Sequence, residues 1–207
     1  MSRPIIILLL TLPLLSFGQE TPGLHMNGFL DTYHALQLRE PNEFLASRSR
    51  FRGEIDLTRG KSYFFASLNA VHNQVLPQRT KVEIREAYME YSGERWSFRA
   101  GRQIIIWGKA DGLQITDLVS PMDLTEFLAQ DYDDIRMPVN AVLVGKTGRN
   151  WKLELICLPL FQASVLPGEG NPWAYDFSAL GMVEDEEVLP EFSLSNMEYG
   201  GKLAFYF

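Results

Sequence analysis

The chain has 207 residues, 46% hydrophobic and 22% charged, with a mean hydropathy near zero, which excludes disordered and collagenous classes. A net charge of −7 and a pI near 5 oppose nucleic-acid binding, because phosphates require a basic face. One cysteine, Cys157, excludes an internal disulfide and a cysteine-rich metal site, and reads as a small apolar strand residue.

In chain order, the first signal is at the amino terminus. Arg3 gives a positive start, Ile5 to Leu15 form an apolar run broken only by Thr11 and Pro13, and Ser16-Phe17-Gly18 places small residues at the −3 and −1 positions of a cleavage site. Residues 1–18 are expected to be a secretory signal peptide, Gln19 the first mature residue, and 19–207 an exported domain. The run is too short to span a bilayer as a mature helix, and no cysteine follows it to carry a lipoprotein anchor. Nowhere else do eighteen apolar residues run consecutively, so helical membrane spans are excluded.

Leu24 to Leu36 reads as a first strand, holding Phe29, Asp31 and Tyr33 with no facing assigned. The segment Ser47 to Leu57 decides the architecture. Arg48, Arg50, Arg52, Glu54 and Asp56 share one parity, and Ser49, Phe51, Gly53, Ile55 and Leu57 the other. A period of two over eleven residues is a strand with one charged and one apolar or small face; a helix would scatter the charges around its circumference. The length suits the roughly 9–11 residues a tilted strand needs to cross a bilayer.

The pattern recurs. Tyr63 to Val71 sets Phe64, Ala66, Leu68 and Ala70 against Tyr63, Phe65, Ser67 and Asn69; Lys81 to Tyr91 ends with Ala87, Met89 and Tyr91 opposite Glu86, Tyr88 and Glu90. Trp96, Phe98 and Ala100 oppose Ser97, Arg99 and Gly101, and Asn140 to Lys146 is a short apolar run. Trp151, Leu153, Leu155 and Cys157 oppose Lys152, Glu154, Ile156 and Leu158. A last strand sets Tyr199, Gly201, Leu203, Phe205 and Phe207 against Glu198, Gly200, Lys202, Ala204 and Tyr206, which makes eight strands.

Connections alternate in length. Residues 58–61, 92–95 and 147–150 are tight, glycine-bearing hairpin turns, whereas 37–46, 72–80, 107–138 and 159–197 are longer polar links. Short turns at one end and long loops at the other is the layout of outer-membrane barrels. A soluble sandwich or lipocalin-like barrel would turn the apolar parity inward, and the period alone does not exclude that inversion. The signal peptide, aromatic strand ends (Tyr63, Tyr91, Trp96, Trp151, Tyr199) and charge ladder favour an all-β, antiparallel transmembrane β-barrel. Arginines on a lipid face would each cost about 2–4 kcal/mol near the bilayer centre, so Arg48, Arg50 and Arg52 are expected in the lumen and Phe51, Ile55 and Leu57 against lipid. With Trp96 and Phe98 outward, strict parity also sends Arg102 outward. Either Gly101 marks a bulge that resets the phase, or Arg102 lies near the interface and snorkels.

No G-x-S-x-G elbow, H-E-x-x-H or phosphate-binding glycine loop occurs. His25, His34 and His72 lack metal spacing, and Asp131-Tyr132-Asp133-Asp134 lacks the glycine and terminal glutamate of a calcium loop. No catalytic residue, metal or cofactor is therefore expected. The expected lumen residues are Arg48, Arg50, Arg52 and Arg99 with Glu54, Asp56, Glu86 and Glu90, which either tune selectivity or pair across strands and fill a narrow barrel. The 107–138 loop, about thirty residues, is too long for a mere connection. Acidic yet carrying Leu113, Ile115, Leu118 and Phe127, it either folds into the lumen as a constriction or covers the mouth. Trp107, Asp111, Asp117, Asp123 and Arg136 are its candidate residues.

Gly101-Arg102-Gln103, Trp107-Gly108-Lys109-Ala110-Asp111-Gly112, Asp117, Pro121-x-Asp123, Glu126-Phe127 and Asp134-x-Arg136-x-Pro138 resemble a motif block of a porin-like family of outer-membrane proteins from Gram-negative bacteria, known as a domain of unknown function. The resemblance is specific over about 101–138, looser over 83–100 where Glu86-Ala87-Tyr88 fits, and only barrel-like elsewhere. That family has no settled substrate, so the resemblance implies no ligand. It does imply a barrel of well over eight strands, of which this chain would be the amino-terminal portion. Against this, Phe207 with Phe205, Leu203 and Tyr199 imitates the terminal assembly signal of complete barrels. The function expected is a channel for passive passage of small hydrophilic solutes. Its partners would be outer-membrane lipid, the solute and the barrel-assembly machinery, and a homo-oligomer is compatible by analogy. The alternatives are a barrel enzyme of the protease or lipase kind, for which only His34 and His72 are near candidates, and a small closed structural or adhesin-like barrel.

Overall fold

The structure, a computed structural model, describes residues 23–38, 43–108, 118–126, 129–168, 170–174, 188–191 and 193–206. The expected signal peptide, Asp111, Asp117 and Phe207 lie outside the described residues.

Eight strands follow one another in a single antiparallel sheet, each bonded to its sequence neighbours. They are β1 (Leu24–Leu36), β2 (Phe44–Arg59), β3 (Ser62–Asn73), β4 (Lys81–Ser92), β5 (Trp96–Gln103), β6 (Val139–Thr147), β7 (Trp151–Leu158) and β8 (Glu198–Phe205). All eight expected strands are present, and β1 and β7 carry the bounds read from the two-residue period. The sheet is open: β1 pairs only with β2 and β8 only with β7, so these eight strands by themselves do not close into a barrel. Among the described residues no helix is long and apolar enough to cross a membrane, and the one α-helix, α1 (Tyr132–Ile135), is a single turn.

Tight turns join β2 to β3, β4 to β5 and β6 to β7 at one end of the sheet. Gly60, with φ +61°, opens the first of them, a backbone angle that glycine adopts without a Cβ clash. All longer connections lie at the other end, as the spacing of turn residues predicts.

The pleat sorts side chains onto two faces. On β2, Arg48 and Arg50 are buried while Phe51 (48% exposed) and Ile55 (39%) stand on the open face. The neighbouring strands agree: Ser67, Asn69 and Asn73 of β3 are buried, and Phe64 and Leu68 are exposed. On β7, Ile156 and Leu158 are buried opposite exposed Leu155. One face therefore carries the charges and is covered, and the other is apolar and bare. Of the aromatic strand ends, Tyr91 and Trp96 are exposed near the tight turns and Tyr199 at the opposite end of β8. Tyr63, counted among the aromatic strand ends, keeps the parity read for it and does not stand on the apolar face. It joins Phe65 and Tyr88 in a ring cluster on the charged face, with centroids 5.4–6.5 Å apart, because its parity is that of Ser67 and Asn69.

Phase is broken twice in the first five strands, and neither time at Gly101. The β1–β2 register shifts between Ala35 and Leu36, whose partners are Ala46 and Phe44, so that Leu45 is extra at the start of β2. The β3–β4 register shifts between Ser67 and Leu68, whose partners are Glu86 and Ile84, leaving Arg85 as the extra residue of a bulge in β4. Before it Lys81, Glu83 and Arg85 share a parity; after it Glu86, Tyr88 and Glu90 do. The β4–β5 register runs unbroken through Gly101, which instead takes φ +129°, and a Cβ there would sit 2.3 Å from the Ala87 carbonyl oxygen. Arg102 turns to donate from Nε to the Ile84 carbonyl (3.0 Å) and borders the arginine-lined cavity described below.

A compact apolar cluster fills the covered face at the long-loop end of β6 and β7: Ile105, Val139, Ala141, Ile156 and Leu158, with Trp107, Val119 and Leu143 packed on it. It fixes where the long β5–β6 connection leaves and rejoins the sheet.

Candidate functional site: an arginine tier capped by an acidic segment

Alternation on β2 places Arg48, Arg50 and Arg52 in a row on the covered face. Their β1 partners in register are Tyr33, Asp31 and Phe29, so the facing that β1's sequence leaves open is that of the arginines. The guanidinium carbons of Arg50 and Arg52 lie 5.1 and 5.3 Å from the Phe29 ring centre, and that of Arg48 5.6 Å from Tyr33, within cation–π range. Arg50 is paired with Asp31, and Arg52 Nε donates to Asn69 Oδ1 on β3 at 2.8 Å.

The β5–β6 connection then crosses this row. Bonds from Met137 N to the Pro121 carbonyl (2.7 Å) and Asp123 N to the Ile135 carbonyl (2.7 Å) tie residues 121–137 into a loop closed on itself. Val165 N donates to the Met122 carbonyl and Leu124 N to that of Val165, both at 2.8 Å, which anchors the loop to the β7–β8 connection. The turn of α1 delivers Asp134 between the strands: one carboxylate oxygen meets Arg50, and the other meets Arg52 at 2.5 Å and Arg85 at 3.3 Å. Glu126 lies 3.5 Å from Arg48, and Asp123 pairs with Arg79. Burial pushes the Asp134 carboxyl up, but hydrogen bonds from Arg50 and Arg52 and the charges of Arg52 and Arg85 outweigh it and hold it below the usual carboxylate range. Burial also lowers the Arg79 guanidinium, opposed by Glu126 and Glu83. Charges this deep persist only when paired.

Between the row and the loop lies a cavity of about 110 Å³. Its cations are Arg48, Arg50 and Arg52 of β2, Lys81 and Arg85 of β4, and Arg79, Arg102 and Arg136; its carboxylates are Glu83, Asp123, Glu126 and Asp134. Eight positive against four negative side chains give +4, inside a chain of net −7. Asp31 and the exposed Asp131, which reach Arg50 from the rim, bring the sum to +2.

The other expected site residues are dispersed. Glu54 and Asp56 sit lower on β2, and Ser67 Oγ approaches Glu54 at 3.5 Å. Glu90 is bound by Arg99, whose Nε donates at 2.7 Å, and the pair borders a second cavity with Lys152 and Glu154. Glu86 accepts from Ile104 N at 2.8 Å and so holds the end of β5. Asp123 and Arg136 enter the arginine cavity, whereas Trp107 lies across β7 and β8: a Cβ on Gly200 would come within 3.1 Å of its ring, and its carbonyl accepts from Lys202 Nζ at 2.7 Å. Arg85 and Arg79 are the residues that sequence reasoning missed; Asp134 stands in it only as part of the loop's acidic run and motif block, not as a site residue. The shift of charge from odd to even positions at Arg85-Glu86 is a signal that could have revealed the bulge.

The enzyme alternative turns on His34, which reaches Ser47 Oγ through Nδ1 at 3.1 Å; His72 is exposed. Ser47 is 3% exposed and its hydroxyl donates to Gln74 Oε1 at 3.1 Å. With its hydrogen directed to Gln74, the Ser47 oxygen faces His34 as a hydrogen-bond acceptor, the reverse of the arrangement that activates a nucleophile. His34 and Ser47 are register partners, and their contact ties β1 to β2. Of the acidic run at 131–134, Asp134 is committed to the arginines and the Asp131 side chain is 82% exposed.

No curated protein and no solved structure gives a significant match to the chain. The model of the family described as "protein of unknown function (DUF1302)" matches residues 73–180, which span the β3–β4 link, the whole crossing loop and the block at 101–138. The chain belongs to the DUF1302 family of proteins of unknown function.

Proposed function

We propose that this protein is a porin-like outer-membrane channel through which small hydrophilic solutes pass passively, and not an enzyme. The observation that carries the reading is the sorting of the sheet's two faces. Phe51, Ile55, Phe64, Leu68, Val82 and Ile84 stand bare on one, while the arginine tier and its carboxylates lie covered on the other. In water a bare apolar sheet face would need a partner; in a bilayer, hydrocarbon covers it.

Strands β1 to β4, at 12 to 16 residues, exceed the roughly 9–11 that a tilted crossing needs, and β5 to β8, at 8 or 9, lie near that bound. In a membrane the open edges of β1 and β8 require further strands, because each unsatisfied backbone group in hydrocarbon is costly. Tight turns would face the periplasm and the long connections the outside, with the 118–138 loop narrowing the passage. Export would follow from the amino-terminal signal, and insertion would use the barrel-assembly machinery.

Planar-bilayer recording of the refolded protein at its complete length tests the proposal. Stepwise conductance is expected, and persistent silence under conditions where the strands are folded would refute it.

A further inference from the structure

We propose that the cavity between the arginine tier and the crossing loop binds small anions, carboxylates or phosphates, and that Asp134 occupies it as a tethered competitor. This rests on the channel reading and adds to it a solute class. Three observations carry it. The lining concentrates an excess of positive side chains in a chain whose overall sign is negative. A carboxylate already seated there, that of Asp134, shows what the guanidinium groups accept: both oxygens are used, one by Arg50 and one by Arg52 and Arg85. Finally, the site retains unmet bonding. Arg48 Nε and Glu126 Oε1 are buried without a hydrogen-bond partner among the described residues, although the two side chains are only 8% and 3% exposed.

An incoming anion offers Arg48 the acceptor it lacks, and a hydroxyl or water carried with it can donate to Glu126. It can also exchange with Asp134 on Arg50 and Arg52, because the tether leaves the aspartate close by to take the arginines back. Exchange of this kind lets an anion bind and leave without withdrawing a carboxylate from Arg50, Arg52 and Arg85 at once, which conduction through a charged constriction requires. A cavity of about 110 Å³ suits an inorganic ion or a small organic acid.

The test uses the protein at its complete length in planar bilayers under a potassium chloride gradient. Reversal potentials are expected to favour chloride, and millimolar succinate or inorganic phosphate to block the current. Asp134→Asn should strengthen block and chloride preference by roughly tenfold, as expected from freeing one charge-assisted pair; Arg52→Gln and Arg85→Gln should weaken both. Block by succinate alone assigns carboxylates, block by phosphate alone assigns phosphates, and block by both assigns a general anion site. Potassium preference, no block by either, or block indifferent to all three variants would overturn the inference while leaving the channel in place. Should Asp134→Asn not fold, the two arginine variants decide alone. If no steps appear, calorimetric binding of succinate or phosphate to the detergent-refolded chain, lost in Arg52→Gln, would retain the site and refute the channel. Silence without binding refutes both.

Discussion

Asp134 and Arg50 are 84 residues apart in the chain and in contact in the fold, with Asp134 Oδ2 on Arg50 and Oδ1 shared by Arg52 and Arg85. This one carboxylate fastens the crossing loop to two strands. Removing either partner of a buried pair strands the other charge, at a cost of about 3–5 kcal/mol. Asp134→Asn and Arg52→Gln are each expected to destabilise the refolded protein on that scale. The double variant should lose less than the sum, with a coupling of about 1–3 kcal/mol. Denaturant unfolding of the four proteins in a double-mutant cycle measures this, and strictly additive losses would contradict the shared contact.

The lowered ionisation of Asp134 gives the loop's attachment a definite pH dependence. The group titrates lower folded than unfolded, where a free aspartate lies near about 3.9. Its contribution is therefore fully present above that unfolded value and is lost as pH falls through the lower folded one. Hydrogen exchange at the amides of Asp123 and Met137, corrected for its intrinsic pH dependence, should stay slow from pH 6 down to about 4 and accelerate only at more acidic pH. Release of the loop at pH 5 to 6 would mean that Asp134 is not held by its arginines.

Gly101 meets two demands at once, a φ of +129° and the close approach of Ala87 O and Tyr88 Cα, at 2.3 and 2.8 Å from a built Cβ. Gly101→Ala should cost at least about 1–3 kcal/mol from backbone strain, and more if β4 and β5 must separate. A lower unfolding midpoint with unchanged denaturant slope is the expected signature.

The two faces of β2 predict opposite label environments. Nitroxides at Phe51→Cys and Ile55→Cys, in a background lacking Cys157, should be relaxed by oxygen dissolved in the hydrocarbon and shielded from aqueous reagents. A label replacing Glu54 should show the reverse. Phe51→Arg should reduce stability in vesicles by about 2–4 kcal/mol if the position lies near the bilayer centre. Aqueous accessibility at 51 and 55 would reverse the assignment of the faces.

The sequence by itself determined the strand succession, the alternation of tight turns and long links, and the facing of β2, β3 and β7. Each of these is written in short-range order: a period of two fixes which side chains share a face, and glycine-bearing turns fix where the chain reverses. It located the arginine row and identified the β5–β6 connection as more than a link, leaving open whether that connection enters or merely covers. Only the tertiary structure decided that the connection lies on the arginines, that Asp134 with Arg85 and Arg79 makes the site, and that β1 lends Phe29 and Asp31 to it. It also decided that a phase shift falls at Arg85 in β4, that Tyr63 stacks with Phe65 and Tyr88, and that β1 and β8 remain unpaired with each other. The reason is physical. A pleat imposes its pattern on every second residue and so leaves a trace in sequence. The choice of an arginine's partner some eighty residues away depends on loop closure, burial and the competition among several acids, and none of these has a period.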